Sequence, residues 1–67
     1  MNDYRRSEGF KFTLGQKVTI DVSNQQGTVT ARCEYINAEP AYEVLYATKE
    51  GDAAKKFWSE SYLRSTT

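Results

Sequence analysis

Apolar residues in this chain recur at every second position, over runs too short for anything but strands, and each run is bounded by turn-forming residues. Val18, Ile20 and Val22 alternate with Lys17, Thr19 and Asp21. Val29, Ala31, Cys33 and Tyr35 alternate with Thr28, Thr30, Arg32 and Glu34. Successive side chains of an extended chain point to opposite faces, so this spacing predicts half-buried antiparallel strands over Lys17–Val22 and Thr28–Tyr35. Ser23–Gly27 reads as the turn between them, because Asn24 and Gly27 tolerate positive φ. A third strand is expected over Tyr42–Thr48 and a fourth over Ala53–Trp58, separated by the turn-rich Thr48–Asp52. Ile36–Pro40 is a loop, since Pro40 has no N–H to give to a ladder. Ahead of all this, Phe10, Phe12 and Leu14 alternate with Lys11 and Thr13, which puts both phenylalanines on one face of an extended lead-in. The third strand carries apolar residues on both sides, Tyr42, Val44 and Tyr46 against Leu45 and Ala47. That pattern implies a strand covered on both faces or an outer face buried by a partner.

The chain has 67 residues, room for one domain. A chain this short buries only about 60% of its unfolded surface, so it is marginal unless it is stapled or associates. Stapling is excluded within the chain, because Cys33 is the only cysteine. There is no histidine, which removes a Cys/His zinc site and the Ser-His and Cys-His catalytic pairs. Neither a metal nor a cofactor is expected. The acidic residues form no paired-carboxylate spacing, Ser59 and Ser61 have no evident base, and Gly9, Gly15, Gly27 and Gly51 are isolated turn glycines without phosphate-loop spacing. Met1–Gly9 is a polar tail with Asp3, Arg5, Arg6 and Glu8 and no apolar run behind them, neither a signal peptide nor a membrane anchor. With an unpaired cysteine this suggests a cytoplasmic protein with no membrane partner. Nine basic residues balance nine acidic ones, so attraction to nucleic acid has to come from a local patch. The organisation expected is a tail over 1–9, one all-β domain over 10–64, and a polar end over 65–67.

Leu14-Gly15-x-x-Val18, Gly27-Thr28-Val29-Thr30-Ala31-Arg32, Pro40-x-Tyr42-x-Val44, and Trp58 with Leu63 behind it resemble the SH3-like barrels of small phage and mobile-element proteins. The resemblance covers about three quarters of the chain. It implies a small barrel of five antiparallel strands, and it makes Phe57–Leu63 similar to the short 3-10 turn that precedes the last strand of such barrels. A narrower similarity, through Gln26-Gly27-x-Val29 and Pro40-x-Tyr42-x-Val44, is to the plasmid-borne type II dihydrofolate reductases, which are homotetramers that bind NADPH in a central pore. That family reads Val-Gln-Ile-Tyr in its pore-lining strand, where this chain has Lys55-Lys56-Phe57-Trp58. Its functional lysine falls near Ile20 here, which carries no charge.

Such barrels are platforms for many functions, so function has to be read from side chains. Tyr35, Tyr42, Tyr46 and Tyr62 together with Trp58 are too many aromatics for so small a core, and an exposed tyrosine offers contact area at low entropic cost. The expected function is therefore a non-catalytic interaction module that docks a protein partner, a host factor or an identical subunit, through Tyr35, Tyr42, Tyr46 and Trp58. A tryptophan at this point also suits packing over one end of the barrel. Lys55 and Lys56 with Arg32 beside Trp58 have the basic-and-aromatic form of a single-stranded nucleic-acid site, which is the second expectation. Two adjacent lysines also suit a strand edge protected against pairing.

Overall fold

A computed structural model describes residues 9–66. The tail expected at 1–9, Arg5 and Arg6 included, lies outside the described residues except for Gly9, as does Thr67. The five strands are β1 (Lys17–Ile20), β2 (Gln25–Cys33), β3 (Ala41–Ala47), β4 (Ala53–Ser59) and β5 (Leu63–Ser65). They form one antiparallel sheet in the order β4-β3-β2-β1-β5. One turn of 3-10 helix, Glu60–Tyr62, leads from β4 into β5. β4 and β5 end the sheet and do not pair with each other, so the sheet is open.

The β1–β2 connection is tighter and earlier than the composition suggested. Asp21–Asn24 makes the turn, closed by the Asn24 N–H donating to the Ile20 carbonyl at 2.7 Å with Asn24 at φ 62°. Ile20 then pairs with Gln25. Val22, expected to face the core, sits in this turn and is 66% exposed. Gly27 is not a turn residue but an interior position of β2, opposite Val18 and Tyr46. The chain uses its missing side chain for packing: a Cβ there would lie 2.6 Å from both Val44 Cγ1 and the Leu45 carbonyl oxygen.

A β-bulge between Val29 and Ala31 corrects the facing of β2. Val29 pairs with Val44, but the next pairings are Ala31 with Glu43 and Arg32 with Tyr42. One extra residue, Thr30, shifts the parity, because side chains alternate with a period of two. Ala31 and Cys33, expected inside, therefore share the outer face with Glu43, and Arg32, expected outside, shares the inner face with Tyr42. The Thr30 hydroxyl donates to the Glu43 carbonyl oxygen at 3.2 Å and lies 2.9 Å from the Glu43 carboxylate. Tyr35 lies beyond the end of β2, in the loop that runs to Pro40.

The inner face gathers Val18, Ile20, Val29, Tyr42, Val44 and Leu63, with Phe12 laid over them. Burial of each such side chain contributes about 1.5–3 kcal/mol. The lead-in is not a strand. It is tied down by backbone bonds, Gly15 N–H to the Val29 carbonyl and Val29 N–H to the Gln16 carbonyl, which carry the β1 ladder up to the bulge. Phe12 is buried, Phe10 is half-buried, and Leu14 is left exposed.

Candidate docking surface

Register alone lines up Arg32, Tyr42 and Trp58 across β2, β3 and β4 on the inner face. Aromatic rings extend this row at both ends. Phe10 meets Tyr42 edge-on, ring centroids 5.9 Å apart, and the Arg32 guanidinium lies 4.6 Å from the Phe10 centroid. At the other end Tyr62 meets Trp58 edge-on at 6.4 Å. Such edge-to-face pairs suit the ring quadrupole, and guanidinium over a ring adds a cation–π attraction.

The centre of the row is rigid. Tyr42 is 0% exposed, and its hydroxyl accepts from the N–H groups of Lys11 and Phe12 at 2.9 and 3.3 Å while donating to the Glu60 carboxylate at 2.5 Å. Glu60 also accepts the Lys11 N–H at 3.0 Å. Burial pushes the Tyr42 hydroxyl above the usual tyrosine range, and its bond to Glu60 adds to this, while the two backbone donors pull the other way. The 3-10 turn is fastened separately: Glu60 N–H donates to the Pro40 carbonyl at 2.8 Å, and Ser61 donates to the Glu39 carboxylate from its N–H at 3.2 Å and its hydroxyl at 2.7 Å. Tyr62 thus stands 49% exposed on a base held from two sides. Beneath it the Trp58 indole N–H is buried with no acceptor among the described residues.

The candidates named from the sequence fall in different places. Trp58 and Arg32 lie in this row, both half-buried. Tyr42 is its core and offers a partner no surface. Tyr46 is half-buried at the far end of β3, where it lines an open groove of about 450 Å³ with Lys17, Thr28, Leu45, Ala47 and Ala53. Tyr35 is exposed in the β2–β3 loop, where a hydrogen bond to Cys33 holds its hydroxyl above the usual range. Lys55 and Lys56 do not act together: Lys56 pairs with Val44 on the Trp58 face, and Lys55 pairs with Leu45 on the opposite one. Tyr62, Phe10 and Glu60 were not among the site residues named from the sequence, although Phe10 was placed on a common face with Phe12 and Tyr62 in the expected 3-10 turn. Distance along the chain hides Phe10, which meets this row only where the lead-in crosses β3, whereas Tyr62 is four residues from Trp58 and is turned onto it by the 3-10 turn.

Among the described residues no group of three or more histidine, cysteine, aspartate or glutamate side chains is arranged to hold a metal ion, and no helix is long and apolar enough to cross a membrane. Comparison with family models, curated proteins and solved structures found no match to this chain.

Proposed function

We propose that the chain is a small non-catalytic interaction module of SH3-like barrel type, encoded by a phage or other mobile element, that docks a protein partner on the face formed by Phe10, Arg32, Trp58 and Tyr62. The observation that carries this reading is a ring, Tyr62, half exposed beside Trp58 on a turn fastened by Glu39 and Pro40. A pre-positioned aromatic loses little freedom on binding, which is what makes tyrosine and tryptophan effective anchors. Arg32 on β2 and Lys56 on β4 flank β3 on this face, and Glu39 and Glu60 hold the 3-10 turn beside it, so charges of both signs border the rings.

The nucleic-acid reading keeps one specific support, Lys56 and Arg32 on the Trp58 face, and one test separates the two. Labelled protein is followed by amide-resolved NMR with a short single-stranded oligonucleotide at low and moderate salt, beside capture from host lysate by the native chain and by Tyr62→Ala. Protein docking predicts no oligonucleotide shifts and a captured protein that Tyr62→Ala loses. Salt-sensitive shifts centred on Arg32, Lys56 and Trp58 overturn it in favour of nucleic acid.

A further inference from the structure

β4 is an edge strand of seven regular residues, with no bulge in its pairing to β3 and no proline. Among the described residues nothing pairs with its other side. Which backbone groups face that side follows from two bonds at its ends. The Thr48 N–H donates to the Asp52 carbonyl, and the Glu60 N–H donates to the Pro40 carbonyl. Hydrogen-bonded pairs alternate along an antiparallel ladder, so in this register Ala54, Lys56 and Trp58 turn their backbone groups to β3. The N–H and C=O groups of Ala53, Lys55, Phe57 and Ser59 point away from the sheet. Phe57, on the outer face, is also 55% exposed, more than any other aromatic described. An unpaired edge of this kind is a template for another strand.

We propose that this edge pairs antiparallel with β4 of a second copy of the chain, about a two-fold axis at Phe57. This goes beyond the aromatic-face reading, because it concerns the sheet edge and names the occupant. The lysines choose the register. Centring the axis on Lys55 or on Lys56 sets two like charges directly opposite each other, which is destabilising. Centring it on Trp58 turns the outward backbone groups out of step with the strand length, leaving only Phe57–Ser59 to pair before the 3-10 turn intervenes. Centring it on Phe57 keeps Lys55–Ser59 in the ladder. Phe57 then exchanges backbone bonds with Phe57 of the partner subunit, and their rings meet on the outer face, diagonal to Leu45. Lys55 lies opposite Ser59 of the partner subunit, and Lys56 lies opposite Trp58 of the partner subunit, a cation beside an indole. Axes at Ala53 or Ala54 leave at most Ala53–Lys55 in the ladder, so the Phe57 axis is the longest self-complementary alignment that opposes no like charges, as an isologous interface requires.

The test uses the full chain. Sedimentation over a range of concentrations is expected to show a monomer–dimer equilibrium, with the amide protons of Lys55, Phe57 and Ser59 increasingly protected from exchange as concentration rises. Phe57→Lys, which opposes two charges at the axis, is expected to weaken the dimer tenfold or more with the circular dichroism unchanged, and Lys55→Ala to leave it within twofold. A chain that stays monomeric with those amides exchanging freely overturns the proposal, as does a dimer indifferent to Phe57→Lys or one that Lys55→Ala tightens. A monomer that still captures a protein through Tyr62 sinks the edge and leaves the aromatic face standing, whereas a dimer that captures nothing does the reverse.

Discussion

At the scale of single residues, Gly27 shows most directly how one position ties sequence to packing. Its φ is ordinary, so glycine is not required there for its backbone freedom. It is required because β2 and β3 cross Gly27 so closely that Val44 Cγ1 and the Leu45 carbonyl fill the space of a Cβ. The valine methyl can rotate away, but the carbonyl belongs to the ladder and cannot. Gly27→Ala is therefore expected to destabilise the fold by about 1–3 kcal/mol, the usual cost of overpacking. Urea unfolding checks this through a lower midpoint with an unchanged slope. An alanine as stable as glycine would mean that the strands separate at this crossing without cost.

At the scale of elements, the bulge decides which side chains the sheet offers to each face. Deleting Thr30 sets Ala31 directly after Val29, so the ladder runs without a bulge while Ala31 and Cys33 keep the outer face and Arg32 keeps the inner one beside Phe10. Because the facing is kept, the expected loss stays within the ~0.5–3 kcal/mol of an ordinary substitution. Thr30→Ala keeps the extra residue and removes only exposed bonds to Glu43, so it is expected to cost about 1 kcal/mol or less. Denaturant curves of the two variants check both expectations; a deletion that unfolds the chain would mean that the bend made by the extra residue, and not the facing alone, holds the sheet together. The same element marks the limit of what the sequence discloses. Strands β1, β3 and β4, the 3-10 turn before β5 and most of the core are legible, because burial on one face writes a period of two into the chain. A bulge leaves that period unbroken in sequence and breaks it only in space. Val29, Ala31 and Cys33 therefore read as one face although the ladder divides them. Gly27 misleads for a related reason, since a glycine needed for close approach looks the same as one needed for a turn. Tyr42 reads as a surface aromatic because the lead-in that covers it comes from thirty residues away along the chain.

At the scale of the whole molecule, a small core leaves stability dependent on the few contacts that join distant segments, and the Tyr42 hydroxyl joins three. It holds the lead-in through Lys11 and Phe12, sits on β3, and reaches the 3-10 turn through Glu60. Tyr42→Phe leaves the Phe12 N–H without its acceptor and takes one of two bonds from the Lys11 N–H and from the Glu60 carboxylate, which keep each other, an expected cost of about 1–3 kcal/mol at neutral pH. That cost must change with pH in a definite direction. The folded hydroxyl titrates above the ordinary value of 10.0, first because it is buried and then because it donates to Glu60. Below pH 10 both the folded and unfolded tyrosine are protonated, and the contribution is complete. As pH rises past 10 the unfolded chain releases this proton while the folded one keeps it, so unfolding is favoured until the folded value is passed. Stability gained from Tyr42 is thus lost on the alkaline side, not the acid side. Unfolding curves of the native chain and Tyr42→Phe between about pH 8 and about pH 11 bracket the ordinary tyrosine value and isolate this group from the other tyrosines and lysines, which are common to both. The gap between the two proteins is expected to narrow above pH 10. A constant gap would mean that the hydroxyl ionises alike in both states, and that the lead-in is held by its phenylalanine rings rather than by the Tyr42–Glu60 bond.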